Sequence, residues 1–118
     1  MATIKEGDKL YVVTRRDISP GYQGVQSQHA AIQFAFDHPE RGTEWFKNSN
    51  YLAWLSVENE VELMKLITDA ADVGLKWSAF REPDVGGQIT AIALEPHPRT
   101  AALCKALPLA LRELEQVK

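Results

Sequence analysis

Four short apolar runs punctuate the chain, and the gaps between them limit what it can fold into. The runs occupy residues 10–14, Tyr51–Val57, 75–81 and 89–94, and their β-branched and aromatic content reads as strand. The first, Leu10-Tyr11-Val12-Val13-Thr14, is apolar at both parities, as a strand covered on both faces must be. Two of the three gaps are long enough for a helix. Ser19-Pro20 opens the first with an N-cap and a proline at the first helical position, and the helix runs over Pro20–Asp37, stopping before Pro39. Asn59 and Glu62 form a capping-box pattern ahead of a second helix, whose buried face is Leu63, Leu66, Ile67 and Ala70 and whose stop is Gly74. The third gap, residues 82–88, is a Pro-Asp-Val-Gly-Gly turn too short for a crossover, so the last two strands pair antiparallel if they pair at all. A final helix is expected over residues 100–116, with Leu103, Leu107, Leu111 and Leu114 inward and a kink at Pro108.

The resulting order, β-α-β-α-β-β-α, predicts an α/β fold: a four-stranded mixed sheet with helices on both faces, a three-layer α/β/α sandwich. Helical crossovers make the first three strands parallel. Their carboxyl ends then share one edge, where open α/β sheets place ligands. Three segments converge there: the loop 15–19 with the start of the first helix, the loop after the second strand, and the turn 82–88.

Composition excludes more than it assigns. The 118 residues, 45% hydrophobic and 25% charged, are ordinary for one globular domain spanning 1–118. No apolar run approaches the ~18 residues of a membrane span, and residues 1–6 lack the apolar core of a secretory signal. The single cysteine, Cys104, can neither close an internal disulfide nor build a cysteine zinc cluster, which fits a reducing cytoplasm. With 13 basic against 16 acidic residues the net charge is −3, so a polyanion has to be held by a local cluster. No GxGxxG, P-loop, GxSxG or HExxH motif is present.

On a helical wheel, Tyr22, Val25, Gln26, Ile32, Gln33 and Phe36 fall within about 60° of His29, which predicts an inward stripe centred on His29. A histidine there is either a satisfied core group or a general base that titrates near neutrality. Ala30, Ala31 and Phe34 form a second apolar patch that calls for another helix or a second copy of the chain. Asp84 either caps its turn or supplies an acid at the ligand edge, where Thr90 adds a hydroxyl and the turn, Gly86 included, offers backbone N–H groups to a developing oxyanion. Arg15 and Arg16, ahead of a helix N-terminus, are either solvated or anion-binding. Cys104 reads as packing. His38 and His97, beside prolines, make a weak metal candidate with Glu95 or Asp37.

Two segments carry a family resemblance. Leu10 to Gly21, followed by Val25-Gln26-Ser27-Gln28-His29-Ala30-Ala31, resembles the opening of the archaeal and eukaryotic type peptidyl-tRNA hydrolases, the peptidyl-tRNA hydrolase 2 family. Pro83-Asp84-Val85-Gly86 through Leu94 resembles its second signature. The resemblance implies a metal-independent, cofactor-free hydrolase that cleaves the ester between a peptide and the 3′ end of tRNA, in a chain that forms homodimers. It carries the family's histidine, aspartate and threonine to His29, Asp84 and Thr90, and its glutamine to Gln26. The family's lysine position, directly after Gly21, is here Tyr22, and the stretch from Asp84 to Thr90 is shorter than in the family. Arg15, Arg16 and Arg81 are then the cations nearest the ligand edge. The competing reading is a non-catalytic module that keeps the fold and binds a peptide or RNA end in the same cleft; a third is a hydrolase of another acyl or amide substrate.

Overall fold

A computed structural model describes residues 3–112. Along the chain lie β1 (Lys9–Arg15), α1 (Pro20–Asp37), α2 (Pro39–Asn48), β2 (Tyr51–Val57), α3 (Glu60–Asp72), β3 (Trp77–Glu82), a 3₁₀ turn (Pro83–Val85), β4 (Gln88–Leu94) and α4 (Pro98–Cys104). The strands are ordered β2-β1-β4-β3 in space. β1 and β2 pair in parallel from Lys9↔Tyr51 to Arg15↔Val57, and β4 runs antiparallel to both β1 and β3. β1, β2 and β3 therefore point the same way, and their carboxyl ends share one edge.

The doubly apolar β1 separates two cores. Leu10 and Val12, with Ala91 and Ala93 of β4, pack against Ala30 and Phe34 of α1. Val13 faces the other way with Leu55, Val57, Ile92 and Leu94, against Leu63, Leu66 and Ala70 of α3 and Cys104 of α4. Helices cover both faces and the α/β/α sandwich is complete. Asn59 accepts a hydrogen bond from the Glu62 N–H at 3.2 Å to cap α3, and Gly74, at φ +76°, lets the chain leave it.

Three local features differ from the sequence reading. Pro39 ends α1 but also starts α2, a helix whose buried residues are Arg41 and Gly42 rather than an apolar stripe. Gly42 makes its packing possible: a Cβ there would meet the Ala35 Cα of α1 at 3.2 Å. Secondly, α1 is rolled. Its buried residues are Gln23, Gln26, Ser27, Ala30 and Phe34, so Ala30 and Phe34 meet the sheet, while His29, Val25, Ile32 and Phe36 are exposed. The inward face is polar because the sheet answers it: Trp54 Nε1 donates to Ser27 Oγ at 2.7 Å, and Gln26 bonds to both β3 and β4. Thirdly, the last helix stops at Cys104. Pro108 has no N–H to donate and restricts Leu107. The chain instead runs beside β2, where Ser56 N–H donates to Pro108 O at 3.0 Å and Ala110 N–H to Trp54 O at 2.9 Å. Leu114 and Gln116 lie outside the described residues.

Candidate active site

The three segments expected at the carboxyl edge do meet there. Arg15 holds them together: Nε and Nη2 donate to Asp17 at 2.6 and 2.9 Å, and Nη1 donates to Gln88 Oε1 at 2.8 Å and Ile89 O at 3.1 Å. The Ile89 N–H donates to Glu60 of α3 at 2.9 Å. Arg16 closes the loop onto β2, through its N–H to Val57 O at 2.8 Å and Nη1 to Ser56 Oγ at 3.1 Å.

Beneath this edge runs a buried chain of hydrogen bonds. Thr90 Oγ1 donates to Gln26 Oε1 at 2.5 Å, and Gln26 Nε2 donates to Glu82 Oε1 at 3.0 Å. The other Glu82 oxygen accepts the Asp84 N–H at 3.1 Å. Thr14 Oγ1 donates to Thr90 O at 3.1 Å. Gln26 is 1% exposed, Thr90 0% and Glu82 9%, so each donor and acceptor would cost roughly 1–3 kcal/mol if left unmade. Among the described residues no cation pairs with Glu82.

The chain ties α1, β3 and β4 at one point and sets where the outward groups stand. His29, one helical turn beyond Gln26, is exposed, and its ring lies flat on Phe80 of β3, centroids 4.4 Å apart at 11°. Asp84 is exposed in the 3₁₀ turn. Among the described residues no hydrogen bond joins His29 to Asp84 or Thr90. Tyr22, where the family has lysine, has a phenol pushed above its ordinary pKa, first by desolvation and then by the negative charges of Glu82 and Asp84. The rim is thus acidic, with a neutral phenol beside it.

Several expected roles change with this geometry. The Thr90 proton is already donated to Gln26 from a fully buried site, so Thr90 positions Gln26 and offers no hydroxyl to a substrate. Arg15 is a strut: its bond to Asp17 raises its pKa, and its remaining bonds go to β4. Arg16 and Arg81 each spend one Nη, on Ser56 Oγ and on Gly87 O at 3.2 Å. Gly86 supplies the left-handed backbone of the turn, φ +74°, and its N–H goes to Pro83 O while that of Gly87 goes to Glu82 O. The N–H groups of Asp84, Gly86 and Gly87 are therefore taken. Ser19 stands at the α1 N-cap with no side-chain bond, which leaves the Gly21 and Tyr22 N–H groups without acceptors among the described residues. The metal candidate dissolves. His38 Nε2 bonds to Trp77 O, His97 Nδ1 accepts the Arg99 N–H, and Glu95 is held by Arg41. No cluster of three or more His, Cys, Asp or Glu able to hold a metal occurs among the described residues.

Glu82 is the functional candidate that sequence reasoning passed over. Its signal was the strand period: Ser78, Phe80 and Glu82 share one face of β3, the face against α1, where Gln26 already sits among apolar neighbours.

Comparison with known proteins fits this geometry. The family model of peptidyl-tRNA hydrolase PTH2 matches residues 8–107. The chain belongs to the peptidyl-tRNA hydrolase PTH2 family. A curated protein named peptidyl-tRNA hydrolase from Thermococcus sibiricus is 30% identical over 100 residues, which cover 76% of this chain and 85% of the relative. Its namesake from Thermococcus onnurineus is 30% identical over 105 residues, with the same coverage. A solved structure of a protein of unknown function from Agrobacterium tumefaciens C58 superposes with a TM-score of 0.64 at 12% identity, covering 86% of this chain and 96% of that one, a likeness of fold alone. The PTH2 match takes in every site residue named above, from Arg15 to Thr90.

Proposed function

We propose that this peptidyl-tRNA hydrolase-like chain cleaves the ester joining a peptide to the 3′ hydroxyl of tRNA, with His29 and Asp84 as the groups that meet the substrate. Water adds to the ester carbonyl carbon and gives its proton to the imidazole of His29 or the carboxylate of Asp84. The tetrahedral oxyanion then expels the 3′ oxygen, which leaves with a proton as the tRNA hydroxyl, and the peptide departs as a carboxylic acid. The free N–H groups of Gly21 and Tyr22, at the positive end of α1, are the donors the chain offers to the oxyanion. Phe80 holds the imidazole in plane, and the Thr90–Gln26–Glu82 chain holds α1 against the turn that carries Asp84.

That buried chain is the observation on which the reading rests. It uses three uncharged or uncompensated polar side chains to align two outward groups, an arrangement that packing alone does not require. The test is release of a labelled peptide from a model peptidyl-tRNA by wild type, His29→Ala and Asp84→Asn. Losing a general acid–base group lowers the rate about 10²- to 10⁴-fold, so both variants fall by that order; full activity in both ends the proposal. The acidic rim and the replacement of the lysine by Tyr22 favour, as the second reading, a non-catalytic module that holds a peptide end. It predicts binding without release.

The proposal extends to a homodimer in a cytoplasmic setting. Exposed apolar side chains support the first: Val25, Ile32 and Phe36 on α1, and Phe46, Tyr51 and Leu52 where α2 leads into β2. Monomers at every accessible concentration in sedimentation would remove it. No helix among the described residues is long and apolar enough to cross a membrane, and the buried Cys104 thiol, its pKa pushed up to about 11 by desolvation, suits a reducing setting.

A further inference from the structure

β3 is a sheet edge, with no further strand beyond it among the described residues. It lies last in the order β2-β1-β4-β3, and its backbone polarity can be read from one bond. Glu95 N–H donates to Lys76 O at 3.1 Å, so Lys76 turns its backbone groups toward β4. In an antiparallel ladder this alternates, so Ser78 and Phe80 also turn inward, and Trp77 and Ala79 turn their N–H and C=O outward. The Trp77 carbonyl confirms the direction, because it accepts from His38 Nε2 outside the sheet. Among the described residues the outward N–H and C=O of Ala79 have no partner. A groove of about 500 Å³ follows this edge, with Asp37 and His38 on the α1 side, Met64 and Ile67 on the α3 side, and Ala79 and Arg81 at its floor.

We propose that this free edge receives the peptide part of the substrate as a fifth strand, paired in parallel with β3. The inference rests on the hydrolase reading of the same site and deepens it. β3 ends at Glu82, immediately before the turn that carries Asp84, so the edge is continuous with the candidate active site. The ester sits at the carboxyl terminus of the peptide. A peptide whose last residue lies beside Glu82, at the end of β3 next to the turn that carries Asp84, and whose chain retreats along β3 therefore runs in the direction of β3. Main-chain pairing also fits the substrate class: the only invariant part of a peptidyl-tRNA's peptide is its backbone, and strand addition reads backbone. Ala79 stands three residues before Glu82, about 10 Å at the strand rise, so a single aminoacyl group cannot reach it and a tetrapeptide can.

The experiment compares steady-state hydrolysis of an N-acetyl-aminoacyl-tRNA and a tetrapeptidyl-tRNA by wild type and Ala79→Pro. Proline is tolerated where an edge N–H faces outward, and it removes the donor the peptide would use. Expected is a kcat/KM for the tetrapeptide about tenfold higher in wild type, the gain two or three net hydrogen bonds provide. In Ala79→Pro the gain disappears through KM, with kcat and hydrolysis of the short substrate unchanged. A tetrapeptidyl-tRNA N-methylated at its second and third residues tests the same pairing without altering the protein, and it too should lose the advantage. Equal kcat/KM for both lengths in wild type, or an advantage that survives both proline and N-methylation, overturns the edge proposal and leaves the hydrolase reading standing. No hydrolysis of either substrate by wild type overturns both.

Discussion

Two buried polar clusters sit at opposite ends of the same strands, and they are built to different rules. At the end away from the candidate active site, Arg41 of α2, 3% exposed, donates Nε to Glu95 at 2.8 Å, Nη1 to Glu44 at 3.2 Å and Nη2 to Pro96 O at 2.7 Å. The second oxygen of each carboxylate takes a backbone N–H, from Lys76 and from Ile4. Cation and anions are joined there, and the cluster is closed. At the carboxyl edge, Glu82 has Gln26 and the Asp84 N–H but no cation, and Asp84, Tyr22 and His29 stand open beside it. The closed cluster pins α2 to the sheet. The open one gathers carboxylates with no cation beside Glu82, the kind of imbalance that functional sites concentrate.

The contrast can be broken by mutation. Arg41→Met leaves the buried Glu95 carboxylate, and the partly exposed Glu44, without their cation and should cost about 3–5 kcal/mol of stability, read as a lowered denaturant midpoint with the release rate of the surviving folded protein unchanged. Loss of rate without loss of stability would reverse the assignment. Glu82→Gln, at the other end, removes an uncompensated charge but keeps a hydrogen-bonding group. It keeps only one acceptor oxygen for the two N–H donors from Gln26 and Asp84, so it should lower stability by about 1–3 kcal/mol, read at the same midpoint. Peptide release should fall well beyond that loss of folded protein, with the pH–rate profile moved because the carboxylate beside Tyr22 is gone.

Smaller effects sharpen the electrostatic side. Asp17 is held below its ordinary pKa first by its hydrogen bond to Arg15, so its pairing stabilises the fold above the usual carboxylate range and is lost as pH falls through the depressed value. Its side chain is 40% exposed, so Asp17→Asn should remove at most about 1 kcal/mol of that acid-sensitive stability. Weakest is the effect on tRNA binding. Arg16→Gln should lower the slope of log affinity against log salt by about 0.7–0.9, Arg15→Gln should act on stability instead, and Tyr22→Lys should steepen the slope. Equal slopes in all three would remove tRNA as the ligand.

The legible parts of this fold were those governed by local rules. β2 and α1 were readable because a β-branched run and a Ser-Pro start with a Pro stop mark their own limits. α2 was not: Arg41 and Gly42 hold it through an ion cluster and a close approach, neither of which leaves an apolar period. The roll of α1 was misjudged for the same reason. Its buried face is Gln23, Gln26 and Ser27 as much as Ala30 and Phe34, and only the sheet opposite shows that those polar groups are answered. At the site, His29, Asp84, Thr90 and Gln26 were visible as residue types in familiar order, but who holds whom was not. Arg15 as a strut, Thr90 as a positioning group and Glu82 as its distant partner depend on long-range contacts between α1, β3 and β4.

The central claim is that the buried chain through Gln26 aligns an ester-cleaving edge. Single-turnover release from a model peptidyl-tRNA by Gln26→Ala, with the enzyme saturating and its fold verified, measures this directly. The account predicts a folded protein whose release rate falls about 10- to 100-fold, the size of effect expected when supporting contacts to reacting groups are lost. A folded Gln26→Ala protein that releases peptide at the wild-type rate would contradict it.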